Sequence, residues 1–127
     1  MTYFMRGVFE QNGEEHPQVG IFNIHLDDTV GGSVMGFNLV YDIKGELTMV
    51  DDVWCLDFIL EPHGGCFWKG ISARYQLKKS DDVKQVGGRY EGHYEHTKGG
   101  FPMSAELASR IVEGKENKAR LTLDTMV

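Results

Sequence analysis

The chain has 127 residues, 41% of them hydrophobic and 25% charged, with a formal net charge of −6. Such a chain makes one domain, 1–127, with a core of its own, and its apolar stretches are too short for a spanning helix. Its basic residues are scattered, which argues against a nucleic-acid backbone as partner, and the start Met1-Thr2-Tyr3-Phe4-Met5-Arg6-Gly7 has no signal-peptide pattern.

Tyr3 to Gln11 and Gln18 to Leu26 are rich in Val, Ile and Phe and read as strands. Asn12-Gly13 is a hairpin turn signal, and Glu14-Glu15-His16-Pro17 lengthens the connection into a loop. Within the second strand Asn23 and His25 are in register with Val19 and Ile21, which places them on the core side. After Asp27 to Gly32, Val34 to Ile43 alternates with Phe37, Leu39, Tyr41 and Ile43 on one face. Lys44-Gly45 then turns the chain into Glu46 to Val50, and Asp51-Asp52 turns it again.

The next hairpin has the clearest pattern, Trp54, Leu56, Phe58 and Leu60 outbound and Phe67, Ile71, Ala73, Tyr75 and Leu77 returning. A four-residue loop at Pro62-His63-Gly64-Gly65 sets Leu60 against Phe67 and Cys55 against Ser72. Cys55 and Cys66 are then too far apart along the ladder to bond, so two free thiols and a reducing, cytoplasmic setting are expected.

Past Lys78 to Asp82 comes Val86 to His96, where the buried parity changes from odd to even. Val86, Gly88, Tyr90, Gly92, Tyr94 and His96 face inward, and Arg89, Glu91, His93 and Glu95 outward. Met103 to Glu113 is the one helical pattern, capped by Ser104 and ended by Gly114. Ala119 to Val127 returns as a strand with Leu121, Leu123 and Thr125 on one side.

About eight strands in sequence with one short helix predict an all-β, mainly antiparallel up-and-down or partly open β-barrel, with a two-sheet β-sandwich as the alternative. Glycines within strands, at Gly7, Gly20, Gly36, Gly70 and Gly92, favour the curvature that a barrel needs.

No catalytic, metal or cofactor motif stands out. The His93-x-x-His96 pair lies on opposite faces of a strand, and the glycine doublets lack the spacing of a phosphate loop. Lys69, between Phe67 and Ile71 on the core side, must reach solvent, meet an acid or line a cavity. Together with the phenols of Tyr41, Tyr75, Tyr90 and Tyr94 it outlines an aromatic interior with a few polar groups, the make-up of a small-molecule pocket.

The first functional expectation is therefore a non-catalytic soluble barrel that binds a small apolar or aromatic ligand inside, through Tyr41, Lys69, Tyr75, Tyr90 and Tyr94, with no cofactor. A second is a protein-interaction module, a regulator or acidic inhibitor of a basic partner. Its acids would be Glu14-Glu15, Asp27-Asp28, Asp51-Asp52 and Asp81-Asp82, and an edge strand could also pair two copies into a homodimer. A third, an enzyme using His25, His96 or Lys69 as acid or base, requires two of these groups to meet in a cleft.

Overall fold

The computed structural model describes residues 1–11, 13–36, 39–63, 72–96 and 117–126. Eight strands follow one another: β1 (Thr2–Gln11), β2 (Glu14–Ile24), β3 (Thr29–Gly36), β4 (Leu39–Val50), β5 (Val53–Pro62), β6 (Ala73–Lys79), β7 (Gly88–His96) and β8 (Asn117–Thr125). Each is hydrogen-bonded to the next in antiparallel fashion, and β8 returns to β1, which closes the barrel. The expected up-and-down barrel is thus the fold, and the sandwich is not. The helix expected over Met103 to Glu113 lies outside the described residues, as do Lys69 and Cys66.

Closure removes every strand edge among the described strands, because β8 is paired with β7 on one side and β1 on the other. Among the described residues β8 therefore has a hydrogen-bonded neighbour on each side.

Alternation decides what fills the barrel. Tyr3, Met5 and Phe9 of β1, Phe22 and Ile24 of β2, Leu56, Phe58 and Leu60 of β5, and Tyr90 and Tyr94 of β7 are buried, and their sequence neighbours mostly face out. Glycines sit inward where two walls come close. A Cβ on Gly45 would overlap the Cα and Cβ of Phe58, each 2.5 Å away, so the bare backbone of β4 is what lets that ring lie in the wall.

Several turns differ from the sequence reading. Gln11 at the end of β1 pairs directly with Glu14 at the start of β2, so the connection is a two-residue one, and Gly13 takes a left-handed φ of 80°. The acidic stretch after it belongs to β2. This register makes Gln18, Phe22 and Ile24 the inward set, leaving Val19, Ile21 and Asn23 outside. Asn23 and His25 are accordingly not on the core side; His25 is exposed in the turn to β3.

The segment read as one strand from Val34 to Ile43 is the end of β3 and the start of β4, and Lys44-Gly45 continues β4 without turning. Between β5 and β6 the pairing is Leu60 with Ala73 and Cys55 with Lys78, six residues beyond the expected register. An even shift preserves the inward parity, so Tyr75 and Leu77 still face the lumen. Cys55 is a free thiol.

Candidate functional site

The inner wall carries a row of rings in cross-strand register. Phe58 on β5 opposes Tyr75 on β6, which opposes Tyr94 on β7. Phe58 and Tyr75 stack at 5.0 Å and 3°, and Tyr75 and Tyr94 at 5.1 Å and 19°. Phe22 meets Phe58 edge-on at 5.1 Å, and Phe9 meets Tyr94 edge-on at 5.7 Å. Offset stacks and edge contacts of this kind add to what burial alone contributes, so the row forms a stiff aromatic wall.

Polarity inside the barrel is uneven along its axis. The lower end is where β2 turns into β3, β4 into β5 and β6 into β7. There Lys79 faces inward with its side chain only 4% exposed, and its ammonium meets the Val83 and Gln85 carbonyls at 2.8 and 2.6 Å and Asp81 at 2.9 Å. Trp54 Nε1 donates to the Lys84 carbonyl and the Tyr90 hydroxyl to that of Val86, at 3.0 and 2.6 Å. Four successive carbonyls, 83 to 86, are thus bound by side chains of the strands beneath them, which fixes this segment at the lower end.

At the upper end the inward positions include His16, Gln18, Tyr41, Tyr75, Tyr94, His96 and Asn117. Among the described residues Gln18 is the one with a buried side-chain amide. It is buried, pairs with Gly7 on β1, and has its Cγ close to Gly36 on β3, so neither neighbour offers a side chain to obstruct it. Its Nε2 donates to the Tyr75 hydroxyl at 3.1 Å. Because β2 and β6 are four strands apart in a ring of eight, this bond spans the lumen.

The other polar groups sit above or beside it. The Tyr94 hydroxyl donates to the Glu10 carbonyl at 2.6 Å. His16 lies against Phe9 at 5.3 Å, and His96 stands edge-on to Tyr94 at 5.6 Å. Burial holds the His96 imidazole below its ordinary pKa, so it is neutral at pH 7. Burial also raises the phenols: Tyr94 is pushed up to about 12, Tyr41 is raised, and Tyr75 is raised further against the opposing hydrogen bond from Gln18.

Of the residues expected to line a pocket, Tyr41, Tyr75 and Tyr94 share this upper end. Tyr90 does not; it is fully buried at the lower end, beneath the Lys79 ammonium at 5.8 Å from its ring. His25 and His96 lie at opposite ends of the barrel and do not form an acid–base pair. Gln18, His16 and Lys79 were not expected. The turn at Asn12-Gly13 was the available signal for the first two, since its two-residue register alone aims them inward.

The acidic pairs have turn roles as well as charge. Asp28, Asp51 and Asp52 adopt positive φ, which aspartate tolerates better than most residues, and Asp27 accepts bonds from Thr29. Asp27-Asp28, Asp51-Asp52 and Asp81-Asp82 all fall at the lower end, and Glu14-Glu15 at the upper. On the outer wall, Asp57 and Arg74 form a two-pronged ion pair at 2.7 and 3.0 Å, and Arg120 pairs with Glu15 at 3.1 and 3.3 Å. Among the described residues no group of three His, Cys, Asp or Glu is placed to hold a metal ion, and no helix is long and apolar enough to cross a membrane.

Comparison of the chain with family models, with curated proteins and with solved structures found no match. The geometry is therefore the ground for a functional reading.

Proposed function

We propose that the protein is a non-catalytic binding barrel that takes a small apolar or aromatic molecule at the upper end of its lumen, and that it works in the cytoplasm. The observation that carries this is the stacked wall of Phe58, Tyr75 and Tyr94 ending in inward polar groups, where the lower end is filled and tied. A flat ring beside this row gains burial and contact with the ring edges, and a few fixed polar groups orient it. The free thiol of Cys55 suits a reducing compartment. Native mass spectrometry of protein purified from cells is the test. A small molecule carried at one per chain and lost on substitution of Tyr94→Ala supports the reading; protein that carries none, and is not stabilised against heat by any aromatic probe, counts against it.

A second reading is an interaction module for a basic protein, which the gathering of three aspartate pairs at the lower end supports. Asparagine also accepts positive φ, so a variant with Asp28, Asp51, Asp52 and Asp82 changed to Asn keeps the turns and removes charge. Salt-sensitive binding of poly-L-lysine that this variant loses favours the module; binding unchanged in the variant removes its basis.

A further inference from the structure

We infer that the Gln18–Tyr75 pair is the polar anchor of the upper site, which therefore selects an aromatic ring bearing a hydroxyl over the same ring bearing a methyl. The inference rests on the binding role proposed above and gives that site its ligand chemistry. Three observations lead to it.

First, Gln18 is the only polar or charged residue among the described ones whose whole residue is buried. Desolvating an amide is costly unless it is hydrogen-bonded. Leu at 18 facing Phe at 75 would fill the same space without that cost, so packing gives no reason for the pair. Second, the position is built for an amide that reaches inward. Gly7 and Gly36 flank Gln18 on its two neighbouring strands, and the side chain crosses to the opposite wall. Third, the bond ends on the central ring of the stack, since Tyr75 lies between Phe58 and Tyr94. Both faces of Tyr75 are covered by those rings, so what it offers a molecule in the lumen is its edge and its hydroxyl.

The chemistry of the pair suits a hydroxyl. Beyond the bond between them, the two side chains offer a phenol O–H, a second amide N–H and an amide carbonyl, so donor and acceptor functions lie side by side. A ligand hydroxyl is both donor and acceptor and can insert into such a pair. A methyl group of the same size can do neither, and leaves the pair's polar atoms facing carbon.

The test compares 2-naphthol with 2-methylnaphthalene, each titrated by its own fluorescence. Wild-type protein is expected to bind 2-naphthol about tenfold more tightly, the effect of one hydrogen bond at the upper end of its net range. Tyr75→Phe removes one oxygen and is expected to bring the two affinities together, so that the ratio between them falls to within about twofold. Gln18→Met, of similar length, serves as the second variant and is expected to do the same. Equal affinities in the wild type, or a preference that survives in both variants, overturns the anchor while leaving the binding role standing. Wild-type protein that binds neither probe overturns the anchor and the binding role together.

Discussion

Gln18 on β2 and Tyr75 on β6 join opposite walls of the barrel through a single hydrogen bond of 3.1 Å. Both residues are buried, so the bond is made where water does not compete. Removing one partner leaves the other unsatisfied, and the cost of each single change exceeds the value of the bond itself. Tyr75→Phe and Gln18→Leu are each expected to cost about 1–2 kcal/mol in urea denaturation, and the double variant, which leaves neither partner unsatisfied, less than either. Additive losses would show that the two side chains are not coupled.

The fold was legible because strand alternation and turn residues act locally. The parity change between Leu77 and Tyr90 was enough to aim Tyr90 and Tyr94 inward, as they are. The site was less so. Val19 and Ile21 carry the hydrophobicity of β2 but face out, 46% and 40% exposed, where an apolar residue costs little. Gln18 faces in because the Asn12-Gly13 turn fixes the register of β2 against β1. A composition-based reading follows Val and Ile; the backbone follows the turn. Likewise, among the described residues the lysine with a buried side chain is Lys79, at the end of β6, where bonds to carbonyls four and six residues along the chain offset its desolvation, and no periodicity announces those bonds.

Gly45 and Gly31 make a matched test of the role of glycine in the wall. At Gly45 an added methyl would collide with the Phe58 backbone and with the Asp57 carbonyl, and neither can move without breaking the β4–β5 ladder. Gly45→Ala should lose about 2 kcal/mol or more by overpacking. At Gly31 the nearest atom is the tip of the exposed His25 ring at 3.5 Å, and Gly31→Ala should stay within about 0.5 kcal/mol of wild type. Thermal denaturation of the two variants side by side decides it, and equal effects would refute the cradle at Phe58.

Lys79 should be worth more to stability than a surface lysine. Its ammonium binds two carbonyls and Asp81, and Asp81 in turn accepts from the Arg89 and Val83 amides. Lys79→Met keeps the length of the stem but leaves those acceptors short of a donor, and a loss of about 2 kcal/mol is expected. Hydrogen exchange at the Val83 and Arg89 amides should quicken with it. Unchanged exchange would mean that the segment holds its place without the lysine.

His96 gives the barrel an acid-side pH dependence. Burial lowers its folded-state pKa below the unfolded value of about 6.5, so the unfolded chain binds the proton first. Its contribution is whole above that pH and is lost as the pH falls from about 6.5 through the lower folded-state value. Asp57, held below the usual carboxylate range by its bond to Arg74, acts in the same direction but in a separate window below about pH 4. His96→Gln should flatten the stability profile just below about pH 6.5 and leave the carboxylate window in place. A profile unchanged by that substitution would show that His96 titrates as a solvated imidazole.

The phenols set the opposite limit. Burial raises Tyr3, Tyr41, Tyr75, Tyr90 and Tyr94, which are all the tyrosines of the chain, above the ordinary value. An acid whose pKa is raised on folding ionises first in the unfolded state, so stability is intact below about pH 10 and falls as the pH rises past it. For Tyr94 the window runs from there to about 12, its folded-state value. Spectrophotometric titration of the phenolate band should therefore show little ionisation of the native barrel near pH 10. It should then show a steep step that coincides with the loss of β-sheet circular dichroism. Tyr94→Phe should move that step to higher pH, because it removes one of the groups whose ionisation pulls the barrel open. Gradual ionisation of folded protein around pH 10 would mean that the tyrosine wall is open to solvent and is not the rigid floor on which the proposed site depends.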